Sequence, residues 1–337
     1  MSLRFAFAGF RHAHIESLYD LAQSRKDIEI VAACEEDADT RSAIREKDLS
    51  KITHDNFEEM LDEVGFDVLA VGDYYEKRGR LLIEGLKRGR HVLADKPLCT
   101  RLSELDEIEA LASEKGLSVG CMLDMRVDWV YRKIRDLILA GDIGEVHAIS
   151  FDGQHPLNYG SRPSWYFEEG KHGGTFNDIG IHAVDYIPWA TGLKFISINA
   201  ARNWNACLPQ VPSFLDSSQA MLTLENGCGV LGDVSYLTPN SFGYNFPHYW
   251  RMTFWGQDGV IETSAVMGAV KLYKNGETEP RTITEGETRP GGYLDDLLLG
   301  IKGDEVSELS TATVIDSTRI GLKIQQAADE GLTNVKL

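Results

Sequence analysis

From its third residue the chain reads Leu3-Arg4-Phe5-Ala6-Phe7-Ala8-Gly9-Phe10-Arg11-His12-Ala13-His14. Residues 4–8 form a short run with apolar residues at consecutive positions, as a strand buried on both faces requires. Gly9 ends the run, and over residues 13–25 apolar positions recur at helical spacing. A strand, a glycine turn and a helix open the kind of unit that holds phosphates against backbone N–H groups at a helix N-terminus. The usual turn is G-x-G-x-x-G/A. Here Gly9 supplies the first glycine, while Arg11 and His14 occupy the other two places. The second glycine normally lets the backbone close on the phosphates. Arg11 therefore either blocks that approach or replaces it with a guanidinium.

The same alternation continues outward. Strands are predicted over 28–34, 68–71, 91–94 and 118–121, and helices over 38–47, 56–64, 77–88 and 103–115. Asn56 followed by Glu59 has the spacing of a capping box. Alternating strands and helices mean βαβ units and a parallel sheet. After about residue 121 the pattern changes. A helix is predicted over 127–140, then strands over 146–151, 195–204, 217–224, 228–236, 249–255 and 260–263. Asn226-Gly227, Asp258-Gly259 and Asn275-Gly276 are hairpin-turn dipeptides. One helix over 176–190 interrupts the strands, and helices over 293–301 and 311–330 follow. The expected architecture is an α/β domain over residues 1–122, then an α+β domain over 123–337 with a large, mainly antiparallel open sheet. The C-terminal helix is expected to pack back on the first domain.

Composition bounds the function. The 337 residues carry 34 Lys plus Arg against 52 Asp plus Glu, a formal charge of −18; 43% are hydrophobic and 26% charged. That is ordinary soluble composition, and the length suggests two domains. An acidic surface repels phosphate backbones and anionic lipid heads, so no nucleic-acid or membrane partner is expected. No stretch reaches the roughly 18 apolar residues of a membrane span. Arg4 already opens a strand, so no leader peptide is expected. Five scattered cysteines without a CxxC pair suit a reducing cytoplasm.

Several groups carry chemistry. Glu35 ends the second predicted strand, where an acidic side chain can accept from a ribose 2′-hydroxyl and repel a 2′-phosphate. Asp95-Lys96-Pro97 follows the fourth predicted strand, placing Lys96 at the carboxyl end of a parallel sheet, where such sheets bind ligands. Asp178 and His182 are four apart and would share one helix face, with Asp185 a neighbour of His182. Imidazole titrates near neutral pH and suits acid–base work. His12-x-His14 admits a second reading, a metal-dependent hydrolase that also uses Asp178 and His182. That reading needs eight βα units, which the second half does not supply. No metal is expected.

Together these pieces resemble the Gfo/Idh/MocA oxidoreductases. Gly89-Arg90-His91-Val92-Leu93-Ala94-Asp95-Lys96-Pro97 is similar to the family's G-K-H-V-x-x-E-K-P, and residues 173–185 to G-G-x-x-x-D-x-G-x-H-x-x-D. Arg126 and the Gly141-Asp142-Ile143-Gly144 turn are further markers. The resemblance implies a Rossmann domain followed by an open-sheet domain. It implies hydride transfer between NAD, favoured over NADP by Glu35, and a sugar, polyol or derivative. By resemblance Lys96, Asp178 and His182 are catalytic. The cofactor track would run along Gly9, Phe10, Arg11, His12, Glu35, Asp73, Arg78, Asp95 and Lys96. Arg126, His155, Trp165 and Tyr166 would meet substrate, and Arg11, Arg78, Lys96 and Arg126 would form a basic pocket. The open sheet face would make a homodimer or homotetramer. Where the family often has T-P-N-x-x-H, this chain has Asp73-Tyr74-Tyr75-Glu76-Lys77-Arg78. With the altered glycine turn, this keeps a non-catalytic sugar- or nucleotide-binding sensor of the same fold as an alternative.

Overall fold

Five short, mostly apolar strands build the first sheet. They are β1 (Leu3–Ala8), β2 (Ile28–Cys34), β3 (Val68–Val71), β4 (His91–Ala94) and β5 (Val119–Cys121), all parallel, in the order β2-β1-β3-β4-β5. The crossovers are α1 (His14–Gln23), α2 (Ala38–Lys47), α3 (Phe57–Glu63), α4 (Tyr75–Lys87) and α5 (Leu102–Lys115). All four residues of β3 are buried, as a central strand covered on both faces demands. Asn56 caps α3, its Oδ1 accepting from Glu59 N at 3.1 Å. The structure is a computed structural model and describes residues 2–47, 49–306 and 308–337.

The strand order reverses between β1 and β3, the switch point at which open α/β sheets bind ligands. Gly9, just past β1, has φ +79°. A Cβ there would lie 2.4 Å from Asp73 Cβ, just past β3. Only glycine lets these two turns come so close, so the first glycine of the motif keeps its ordinary role although the others are gone.

Two compact units divide the chain. One holds the residues through Met122, with Gly170–His172 and Tyr293–Asp316; the other holds Leu123–Glu169, Gly173–Gly292 and Ser317–Leu337. The later segments of the first unit carry most of α8 (Gly292–Lys302) and the first turn of α9 (Thr311–Glu330). Thr311 Oγ1 there accepts from Val119 N at 2.9 Å.

In the second unit, α6 (Trp129–Leu139) and α7 (Ile181–Thr191) accompany nine strands. The strands are β6 (Val146–Pro156), β7 (Phe195–Trp204), β8 (Ser217–Leu224), β9 (Gly229–Thr238), β10 (Arg251–Gly256), β11 (Gly259–Thr263), β12 (Val270–Lys274), β13 (Arg281–Ile283) and β14 (Thr333–Lys336). Their order is β13-β12-β11-β10-β6-β9-β8-β7-β14, and only the central β6–β9 pair is parallel among the described residues. Along β8 the side chains alternate, Ala220, Leu222 and Leu224 inward against Met221 outward, the period of two that gives a sheet one dry face. The inward set packs with Ile134, Val184 and Ile187 of the two helices in one core. This sheet replaces the eight-stranded barrel that the hydrolase reading required. Among the described residues no helix is long and apolar enough to cross a membrane.

Candidate functional site

The first unit carries the cofactor-turn residues and Lys96. β4 runs directly into Asp95 and Lys96, both buried. The Lys96–Pro97 peptide bond is cis. A single side chain holds this bend. Arg78, fully buried on α4, donates from Nη1 to the carbonyls of Asp95, Lys96 and Pro97 at 2.8, 2.5 and 3.2 Å. Its Nε donates to the Asp73 carbonyl at 2.7 Å and its Nη2 to Asp95 Oδ2 at 3.0 Å. The planar guanidinium fork reaches what an ammonium could not. Arg78 thus fixes the backbone around Lys96 rather than adding charge to an open basic pocket, which corrects that expectation.

His12 and His14 do not simply face solvent from the helix start. Both turn onto Asp95: His12 Nδ1 hydrogen-bonds Oδ2, and His14 Nδ1 lies 3.2 Å from Oδ1. Tyr75 Oη is 3.2 Å from His12 Nε2. A buried carboxylate needs such partners. Burial would raise the Asp95 carboxyl, but Arg78 and the two imidazoles outweigh it and hold it well below the ordinary carboxylate range. Burial pushes His12 down to about 4, against the opposing pull of Asp95, so its imidazole is neutral at pH 7.

Around Gly9 the ends of β2 and β3 gather charge. Glu35 is fully buried; its Oε2 accepts from Phe10 N at 2.5 Å and its Oε1 from Asp37 N at 2.7 Å. Burial, then the nearby Asp73 carboxylate, raises its pKa. Arg11 lies over the Tyr74 ring at 5.2 Å, with Nη2 3.4 Å from Asp37 and Nε 3.6 Å from Asp73. Lys77 ties Asp73 to Glu36 at 2.6 and 2.7 Å. These groups fit a dinucleotide: carboxylate acceptors at the β2 end for ribose hydroxyls, a tight first-glycine turn, and the Arg11 guanidinium beside it. Of these groups, Asp73, Tyr74 and Lys77 belong to the segment that replaces T-P-N-x-x-H.

The second unit carries the carboxylate and the imidazole. The expected helix over 176–190 begins differently. Phe176–Gly180 is a π-helical turn, and α7 starts only at Ile181. The wider turn breaks the spacing-by-four argument for Asp178 and His182, and such turns occur frequently at functional sites. Asp178 is 3% exposed and accepts through Oδ2 from the Tyr236 hydroxyl. Burial, then Asp178 itself, holds the Tyr236 phenol well above its ordinary pKa, so it stays a donor. His182 is 6% exposed; its Nδ1 lies 3.3 Å from Asp124 Oδ1 and its ring 5.2 Å from Trp250. Trp250 has φ +50°, a left-handed conformation unusual for a bulky residue.

Asp185 does not pair with His182. Its carboxylate takes a bidentate bond from Arg126, Nε to Oδ2 at 2.7 Å and Nη2 to Oδ1 at 2.6 Å. Arg126 is therefore a buried structural partner, not an open ligand contact. His155 lies inside β6, with the rings of Tyr249, Tyr244 and Trp250 at 5.2, 5.5 and 5.7 Å. Trp165 and Tyr166 are buried and stacked on each other at 4.0 Å. Arg162 lies over the Tyr166 and Tyr236 rings at 4.6 and 5.1 Å. Asp124, Tyr236 and Trp250 were missed by sequence reasoning. Tyr236 is 58 residues from Asp178, and no local spacing signals such a pair.

Comparisons with known proteins follow the same division. Residues 3–122 match the oxidoreductase family with the NAD-binding Rossmann fold, and residues 131–262 match the GFO/IDH/MocA C-terminal domain. The chain is similar to the scyllo-inositol 2-dehydrogenase (NAD(+)) of Bacillus subtilis, 26% identical over 219 residues, which are 64% of this chain and 60% of that one. The chain spans between 52% and 60% of the length of the first three curated relatives it matches. Two solved structures share the fold. The myo-inositol 2-dehydrogenase of Lactobacillus plantarum has a TM-score of 0.78 at 19% identity, covering 100% of both chains. An inositol dehydrogenase homolog of Azotobacter vinelandii, complexed with NAD+, has a TM-score of 0.81 at 15% identity, covering 100% of this chain and 98% of that one.

Proposed function

Since the chain belongs to the GFO/IDH/MocA oxidoreductases, we propose that it transfers a hydride between a nicotinamide dinucleotide and a secondary alcohol or carbonyl of a sugar, polyol or derivative. The observation that carries this reading is that Asp178 and His182 are both buried and that each lies beside a partner of its own, Tyr236 and Asp124. A buried carboxylate and a buried imidazole suit acid–base work once a substrate hydroxyl reaches them. Bound NAD supplies the hydride chemistry. Glu35, Asp37 and Asp73 accept from its hydroxyls, and Arg11 stands by its phosphates. His182 takes the proton of the substrate hydroxyl, Asp178 orients that hydroxyl, and Lys96 donates a hydrogen bond that eases deprotonation. Arg78 is a positioning residue for Lys96.

The substrate class is supported by the similarity to the B. subtilis scyllo-inositol 2-dehydrogenase (NAD(+)). The preference for NAD over NADP is supported by the carboxylates at the end of β2, which repel a 2′-phosphate. Titration of the full chain with NADH and NADPH is expected to show heat and thermal stabilisation with NADH and markedly weaker binding of NADPH. A polyol screen should then give absorbance change at the nicotinamide band. No binding of either cofactor sinks the proposal, and tight binding without turnover favours the sensor.

The open face of the nine-stranded sheet supports self-association. Met221, Leu231 and Trp255 are 47%, 59% and 40% exposed on it, a surface that burial in a partner copy would remove from water. Light scattering is expected to give the mass of a dimer or tetramer; a monomer at working concentration contradicts it. Cys34, Cys99, Cys121 and Cys228 are buried thiols, which suits a reducing cytoplasm.

A further inference from the structure

We propose that His12, His14 and Asp95 form a binding site for a divalent transition-metal ion of the zinc or cobalt type, a site independent of the hydride-transfer reading. The three side chains come from two chain segments of one unit, the turn after β1 and the end of β4. The ligand atoms they offer, two imidazole nitrogens and a carboxylate oxygen, all lie within 4.8 Å of one another. His14 Nδ1 is already 3.2 Å from Asp95 Oδ1, and His12 Nδ1 is hydrogen-bonded to Oδ2. Ligand atoms around a tetrahedral zinc lie about 3.3 Å apart, given bonds of about 2.0–2.2 Å. The cluster therefore needs small adjustments rather than a rearrangement.

The surroundings supply what such a site needs beyond its ligands. A histidine bound through Nδ1 must carry its proton on Nε2, and that proton needs an acceptor. Tyr75 Oη, 3.2 Å from His12 Nε2, is in place to take it. Loading the ion moves the His12 proton from Nδ1 to Nε2, so the imidazole stays neutral and no proton is lost from it. Arg78 Nη2, donating to Asp95 Oδ2 at 3.0 Å, orients the carboxylate. The His14 side chain is 47% exposed, which opens the site to solvent and leaves room for a water as fourth ligand. Two nitrogens in a set of three select zinc, cobalt or nickel over magnesium and calcium, which prefer all-oxygen shells.

A bound ion would cross-link the Gly9 turn to the strand end that carries Lys96. The test uses the chelator-treated full chain and Co2+ alone. Visible ligand-field bands of tetrahedral cobalt are expected to saturate at one ion per chain. They should be displaced by Zn2+ and left unchanged by Mg2+, with a rise in melting temperature on loading. His14→Ala, at the exposed ligand, should melt like the metal-free wild type and weaken Co2+ binding by at least about tenfold, since even outer-shell losses cost about 10–100-fold. Asp95→Asn should remove the bands if it folds. A wild-type chain without bands, or a His14→Ala chain that keeps full affinity, overturns the site. NADH binding by the metal-free chain is read separately, so the metal proposal and the cofactor proposal fail independently.

Discussion

His182→Ala is expected to lower kcat by about 10²–10⁴-fold, the usual contribution of a positioned general acid–base group. The imidazole is buried, within 3.3 Å of an Asp124 oxygen and packed edge-on against Trp250 at 5.2 Å. A carboxylate this close to a base favours the imidazolium that forms. Because proton transfer matters in the transition state more than in the bound ground state, kcat and kcat/KM should fall together. NADH affinity, which rests on the other unit, should stay near wild type. A thermal melt separates loss of the base from loss of packing against Trp250. Turnover at the wild-type rate in a folded His182→Ala chain would remove His182 from the mechanism.

Much of the fold was legible because burial leaves a local trace. β3 and β4 are interior parallel strands, and their continuous apolar runs mark both ends. The Asn-Gly and Asp-Gly turns located β8–β9 and β10–β11 in the same way. β12, β13 and β14 were not read as strands: Asn275-Gly276 marked only the turn between β12 and β13, and the three or four mostly exposed residues of β13 and β14 carry no pattern. The π turn at Phe176–Gly180 was hidden for another reason: period counting assumes 3.6 residues per turn, and a sequence does not announce a wider one. In the site, Lys96 was legible from its place at a strand end. What holds it was not, because the Arg78 fork reaches 17 to 19 residues along the chain. Arg126 and Arg78 read as cations for a ligand, yet both are buried against carboxylates. Charge is visible in a sequence; the partner that neutralises it is not.

Arg126 makes the sharpest stability test. Arg126→Ala is expected to destabilise the second unit by about 3–5 kcal/mol, the cost of leaving a buried ion without its partner. Asp185 would be stranded: it is 1% exposed, and its carboxylate otherwise receives two bonds from the guanidinium and one from Ser317 Oγ at 2.9 Å. The guanidinium also donates to the Asp185 carbonyl at 3.1 Å and lies over the Trp189 ring at 5.5 Å. Lysine cannot reproduce two parallel bonds, so Arg126→Lys should recover only part of the loss. Exchanging both ions for apolar residues, Arg126→Met with Asp185→Leu, should be less damaging than Arg126→Ala alone. The charges then leave together, and replacing a buried pair by packed apolar groups is often near neutral. Urea unfolding of the three variants measures this directly. Should Arg126→Ala unfold at the wild-type midpoint and raise KM instead, the guanidinium binds substrate and Asp185 only orients it.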